Sequence, residues 1–228
     1  MEQLQAYQDL LATAGVDWGL IGPREVERLW ERHIDNSLAV TEVARCLPAA
    51  ATVLDVGTGA GLPRASSGQA IARPDLDVDA VGTLERRIRF LELAVAQLEV
   101  RNVTVVRGRA QDCHAQYDRV TARAVAAMSK LLPWLAPLVA GGGRMVLMKG
   151  ERAEAEITQA QPWLTAHEWQ AQVTMVSSPP RTRVVVVEPT QKGDDGTARR
   201  TGMAPEADEA AGDDRPSAGL GWPDQEDA

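Results

Sequence analysis

Val53-Leu54-Asp55-Val56-Gly57-Thr58-Gly59-Ala60-Gly61-Leu62-Pro63 decides the fold, because a short apolar run breaks there into three glycines at alternate positions. It reads as a buried strand feeding a tight loop, with a helix beginning behind the ligand. Glycines are needed where the backbone takes dihedrals closed to other residues and lets a ligand approach without Cβ atoms in the way. A dinucleotide fingerprint, G-x-G-x-x-G, wants its third glycine at the position held by Leu62. A nicotinamide oxidoreductase is thereby a distant reading, while a plain glycine-rich turn stands as the structural alternative.

Upstream of the loop, residues 1–50 read as a helical segment. Leu4, Tyr7, Leu10 and Leu11 recur at helical spacing up to Gly15. Pro23 suits the start of a second helix with Val26, Leu29, Trp30 and His33 on one face, and a third begins near Asn36 or Ser37 and ends before Pro48. His33 and Trp30 are read first as structural residues. Downstream, strands at 52–56, 77–82, 103–106, 117–122 and 144–149, the last after a turn at Gly141-Gly142-Gly143, alternate with helices ending at Ala72, running from Leu84 to Leu98, and lying over 127–139 and 151–166. Such alternation predicts an α/β fold with a mostly parallel sheet covered on both faces. Trp169–Val176 and Arg183–Val187 follow with no helix between them, so the sheet is expected to end in an antiparallel hairpin.

The 228 residues suit one α/β domain with a sizeable core and a small addition. No apolar run approaches the roughly 18 residues of a membrane span, and the start of the chain lacks signal-peptide order, so a cytoplasmic protein without membrane contact is expected. Cys46 and Cys113 lack metal-ligand spacing and read as free thiols, with no metal implied. The net charge of −8 is concentrated at one end: residues 190–228 hold ten acidic and four basic residues, leaving 22 acidic and 20 basic in the body. That end has no apolar periodicity and reads as a disordered acidic tail. Arg86, Arg87, Arg89, Arg101, Arg107, Arg109, Arg119 and Arg123 crowd one stretch of the near-neutral body. They suit forked contacts to phosphate, against the plainer reading of a solvated helix face.

The D-x-G-x-G-x-G pattern resembles motif I of the S-adenosylmethionine (SAM)-dependent methyltransferases, and the sheet with its closing hairpin resembles their class I, Rossmann-like fold. A narrower likeness rests on Leu54–Pro63, Ile71-Ala72-Arg73-Pro74-Asp75, Glu85–Leu91, Asn102–Ala110, Thr121-Ala122-Arg123-Ala124-Val125-Ala126 and Leu147-Met148-Lys149-Gly150. Together these resemble the RsmG (GidB) family of bacterial 16S ribosomal RNA methyltransferases over roughly residues 20–188. The resemblance implies a cytoplasmic enzyme that moves the methyl of SAM to N7 of a guanosine in 16S rRNA, acting on the RNA or the small ribosomal subunit, and expected as a monomer. It implies cofactor contacts from Gly57 and Leu62 in the loop, Ala110 and Gln111 after the third strand, and Arg123 after the fourth, and the alternate-glycine spacing sets the cofactor over Gly57, Gly59 and Gly61. Those positions fall at the carboxyl ends of strands, where open α/β sheets bind ligands. Gln111 or Asp112 is then available to accept from the adenine amino group, whereas Arg123 has a plain ion-pair role as its alternative. No catalytic side chain is expected, since guanine N7 carries a lone pair and no proton.

Two departures stand out. The acidic residue that usually ends the second strand, and accepts from the ribose hydroxyls, is replaced by Gly82, with Asp79 and Glu85 as its nearest carboxylates in sequence. Arg64–Ala70 is a polar stretch with an internal glycine, a poor opening for a buried helix. Competing readings are a methyltransferase for a small molecule or another RNA, and a SAM- or RNA-binding module with impaired turnover. The domain plan is 1–50 helical, 51–189 the methyltransferase domain, and 190–228 the tail.

Overall fold

The computed structural model describes residues 2–30, 48–59, 70–123, 125–176 and 182–190. The expected third helix, the stretch 60–69 with Gly61 and Leu62, His33, Cys46 and the acidic tail lie outside the described residues.

Seven strands form one sheet in the order β3-β2-β1-β4-β5-β7-β6. They are β1 (Thr52–Val56), β2 (Asp77–Gly82), β3 (Val103–Arg107), β4 (Tyr117–Arg123), β5 (Val139–Lys149), β6 (Trp169–Val176) and β7 (Thr182–Pro189). The first five pair in parallel, and β7 pairs antiparallel with both β5 and β6, as the closing hairpin requires. The chain steps outward from β1 through β2 to β3, then returns to place β4 on the other side of β1. A crevice at such a reversal, outside the carboxyl ends of the strands, is where ligands bind in this class of sheet.

Both faces of the sheet are buried. Leu54, Val56, Val120, Ala122, Met145 and Leu147 lie in a core shared with α3 (Met128–Leu135) and α4 (Ala153–Ala166). Val53 and Val78 pack with Ala51, Ala70, Leu76 and Val100 in a separate cluster. A further cluster joins Tyr7 of α1 (Glu2–Leu10), Leu11, Ile21 and Leu29 to Phe90 and Ala94 of α2 (Glu85–Gln97). The amino-terminal segment therefore packs against the arginine-rich helix.

Several expected elements differ in detail. The helix after Pro23 is a 3-10 segment, Pro23–Arg28. The helix expected over 127–139 ends at Leu135 and tightens to a 3-10 turn at Ala136–Leu138, because Pro137 has no N–H to donate. The glycine triplet 141–143 is part of β5 rather than a turn before it. It lies where the β4–β5 register shifts between Tyr117 and Arg119. Gly142 has φ +82°, and a Cβ on Gly143 would sit 2.9 Å from the Asp118 carbonyl oxygen. Glycine there lets two backbones close on each other at an irregularity. Among the described residues, no helix is long and apolar enough to cross a membrane.

Candidate functional site

The crevice begins at the end of β1. Asp55 is buried, and its Oδ1 accepts a hydrogen bond of 3.0 Å from the Thr121 hydroxyl, tying β1 to β4 across the topological reversal. Beyond Val56 the amides of Gly57 and Thr58 both donate to the Val81 carbonyl, at 2.9 and 3.1 Å, so the loop bends over the end of β2. Gly57 and Gly59 have φ of +72° and +68°, a left-handed backbone that disfavours any Cβ. A Cβ on Gly57 would lie 2.5 Å from Val125 Cγ2, whereas one on Gly59 would find no atom of the described residues nearer than the Gly57 carbonyl oxygen at 3.8 Å. Gly57 is thus covered by Val125 of the β4–α3 loop, and among the described residues the space over Gly59 is open.

The other expected positions surround the same edge. Ala110 is buried in a 3-10 turn, Ala110–Asp112, that follows β3, while Gln111 and Asp112 are exposed. Arg123 ends β4 half-buried, in register with Met148 of β5. Gly57, Gly59, Ala110, Gln111 and Arg123 thus all stand at the carboxyl edge of the sheet.

Sequence reasoning passed over the bracing of the β4–α3 loop. Lys149, at the end of β5 and with only 7% of its side chain exposed, donates to the Ala126 carbonyl at 2.8 Å and to Glu156 Oε2 at 2.9 Å. The same Glu156 oxygen accepts the Met128 amide at 2.9 Å, supplying from α4 the anion that α3 lacks at its own start. Partial burial opposes ionisation of Glu156, but the Lys149 and Met128 hydrogen bonds and the charges of Lys149 and Arg152 outweigh it and hold the carboxyl below its ordinary range. A lysine closing the apolar run Met145-Val146-Leu147-Met148 was the available signal. Glu156 carried none, because its partners are remote in sequence.

A second buried network lies deeper. The Tyr117 hydroxyl donates to Asp79 Oδ2 at 2.6 Å, and Cys113 Sγ lies 3.8 Å from that hydroxyl. Burial, then the bond to Asp79, pushes the phenol far above its ordinary value, and burial likewise raises the Cys113 thiol. Asp79 is committed to this interior network, so it does not replace an acid at the end of β2. Glu85 is committed elsewhere as well, its carboxylate meeting Arg89 at 2.6 Å and Arg107 at 3.3 Å. Among the described residues a Cβ at Gly82 would meet only Ile88 Cδ1 at 3.4 Å and Thr58 Cγ2 at 3.5 Å, so a Cβ is admitted there at contact distance. Of the eight arginines, Arg119 is buried in the sheet and is not available to phosphate; Arg86, Arg87, Arg89, Arg101, Arg107 and Arg109 are exposed.

The family model described as rRNA small subunit methyltransferase G matches residues 1–185. The chain belongs to the GidB family. It is 51% identical over 158 residues to ribosomal RNA small subunit methyltransferase G of Thermobifida fusca, covering 68% of this chain and 65% of that protein. It is 48% identical over 164 residues to the protein of the same name from Mycolicibacterium smegmatis, covering 70% of this chain and 67% of that one. The chain therefore spans about two thirds of the length of these relatives. Among solved structures, magnesium protoporphyrin IX methyltransferase from Synechocystis, crystallised with bound SAM, superposes with a TM-score of 0.56 at 18% identity, covering 83% of this chain and 98% of that one. At that identity the likeness is one of fold, and it agrees with the expected class I methyltransferase architecture of this GidB family member.

Proposed function

We propose that this GidB family chain transfers the methyl group of SAM to N7 of a guanosine in 16S rRNA. The observation that carries the reading is the pair of left-handed glycines, Gly57 and Gly59, at the end of β1 beside the reversal of strand order, in a chain matched by the family over residues 1–185. The residues fit the cofactor in part. Among the described residues the space over Gly59 is open and the buried Ala110 is small, which leaves room for it, with Gln111 or Asp112 at the adenine edge and Arg123 on the β4 side. Gly61 and Leu62 complete the loop in this reading. The ribose wall offers no carboxylate at Gly82.

When bound, SAM supplies an electrophilic methyl on sulfur. Guanine N7 attacks with its own lone pair, so no side chain need remove a proton. The chain then contributes alignment, which can lower a barrier by about 7–11 kcal/mol when both reactants are held in line. Gly57 and Gly59 let the backbone close on the cofactor, and Val125, held by the Lys149–Glu156 brace, fixes the loop beside it. Arg123 orients cofactor or phosphate and stays clear of a base that becomes cationic.

The reading extends to a monomer acting in the cytoplasm on 16S rRNA or small subunits. Its domain plan keeps residues 1–50 as a helical segment, 51–189 as the catalytic domain and 190–228 as an acidic tail that opposes RNA binding. Gly82 favours a second reading, weak SAM binding with slow turnover. Incubation with methyl-labelled SAM and small subunits, naked 16S rRNA or a metabolite pool tests both. Label recovered as N7-methylguanosine supports the proposal, label confined to metabolites overturns it, and SAM binding without label transfer selects the second reading.

A further inference from the structure

A groove of about 410 Å³ opens between the amino-terminal segment and the start of α2, lined by Trp18, Glu85, Arg86 and Arg89. Trp18 is only partly buried; it meets Phe90 edge to face, with ring centroids 5.9 Å apart and planes at 72°. Arg86 and Arg89 are exposed and lie one helical turn apart on α2. Glu85 divides its carboxylate between Arg89 and Arg107, so the wall keeps a positive surplus, and no described carboxylate pairs with Arg86.

The placement of these arginines runs against local preference. The start of a helix carries a partial positive charge and favours anions; the first turn of α2 has one, Glu85, yet it also carries the cations Arg86 and Arg87, with Arg89 just beyond. Sequences break such rules chiefly where a site needs them broken. Cations at a helix start beside a partly exposed indole form a surface for anionic links between flat rings. Single-stranded nucleic acid has that chemistry, since its bases stack on aromatic side chains while its backbone follows basic ones.

We propose that this groove docks an unpaired stretch of RNA, with one base stacked on Trp18 and flanking phosphates on Arg86 and Arg89. It rests on the methyltransferase reading only in its choice of RNA, and it places a strand beside the crevice because α2 starts just after β2 ends. The exposed Asp17, next to Trp18, opposes a phosphate on that side and sets the backbone toward α2.

The test uses the full chain and a labelled twelve-nucleotide single-stranded RNA, with binding followed by anisotropy at several salt concentrations. Trp18→Leu keeps an apolar group on Phe90 and removes most of the stacking surface; the affinity should fall about tenfold, or about 1.4 kcal/mol. Trp18→Tyr should restore it to within about threefold. Arg86→Gln, at an exposed position, should lower the salt slope by about 0.7. Equal binding by the parent chain and Trp18→Leu overturns the proposal, as does a parent chain that does not bind the RNA. Polyglutamate bound as tightly, and with the same dependence on Trp18, would reassign the groove to an acidic protein. Methyl transfer to small subunits is measured in parallel: a parent chain that binds RNA through Trp18 yet transfers nothing defeats the enzymatic reading alone, and transfer untouched by Trp18→Leu with unchanged RNA affinity defeats the groove alone.

Discussion

On the β4–β5 side of the crevice, a lysine with 7% of its side chain exposed, a carboxylate from α4 and two backbone groups hold the loop that carries Val125. On the β2 side, Gly82 offers no side chain, and the carboxylate of Glu85, three residues on, is turned to Arg89 and Arg107. The first wall is fixed by hydrogen bonds among groups withdrawn from water. The second presents backbone and exposed charge. In the proposed SAM site the two walls come from different strands, so one can hold its geometry while the other goes without a polar anchor.

The largest effect is expected at Gly57. Substitution by alanine forces a left-handed residue with a Cβ and drives that Cβ against Val125, two costs of roughly 1–3 kcal/mol each. Gly57→Ala should lower stability by about 4 kcal/mol in urea unfolding and abolish SAM binding in calorimetry. Adding Val125→Ala should recover about half of the stability. No recovery would show that the β4–α3 loop does not lie over Gly57.

Next comes the brace. Lys149→Met leaves Glu156 charged and partly buried beside apolar groups, and breaking a buried pair from one side costs about 3 kcal/mol. Because the folded Glu156 carboxyl lies below its unfolded range, its contribution is complete above about pH 4.3 and fades as pH falls through the folded value. Glu156→Gln should therefore flatten the acid limb of the stability profile. An unchanged limb would place the acid sensitivity elsewhere.

The sheet and the bend after β1 were legible because both depend on period and spacing: alternating elements with a helix-free final pair imply a parallel sheet and a closing hairpin, and alternate glycines imply the left-handed backbone found at Gly57 and Gly59. The brace was not legible, since Lys149 and Glu156 acquire meaning only when α4 folds back on α3. Nor was the burial of Arg119, which looks like its exposed neighbours in sequence and differs by its place inside a central strand. The glycine triplet misled for a related reason. Its role answers to the Asp118 carbonyl across the sheet, and no local pattern records that contact.

At Gly82 the second wall can be repaired. A carboxylate there would accept from ribose hydroxyls, and hydrogen bonds to a charged group contribute roughly 1.5–3 kcal/mol. A Cβ at this position stands at ordinary contact distance from Ile88 and Thr58, so the backbone need not move to admit the side chain. Gly82→Glu should tighten SAM binding by about tenfold to a hundredfold and speed transfer at limiting SAM. Unchanged or weaker binding would mean that another group already holds the ribose.

The smallest effect sharpens the contrast most, because it asks whether that other group is Glu85. Its carboxylate lies between two guanidinium groups, with 47% of its side chain exposed against 68% for Arg89 and 54% for Arg107. Pairs so open to water contribute about 0.5 kcal/mol or less, since screening and side-chain entropy remove most of the attraction. Glu85→Gln should therefore barely move the unfolding midpoint. If the carboxylate stays with the arginines, SAM affinity should not change either, and RNA binding should strengthen slightly as Arg89 and Arg107 are released to phosphate. If instead the side chain swings toward the ribose when the cofactor enters, the same substitution should weaken SAM binding about tenfold while leaving the free protein as stable as before. Calorimetry on this one variant thus separates a missing anchor from a mobile one, and a tenfold loss would remove the reason to regard the second wall as incomplete.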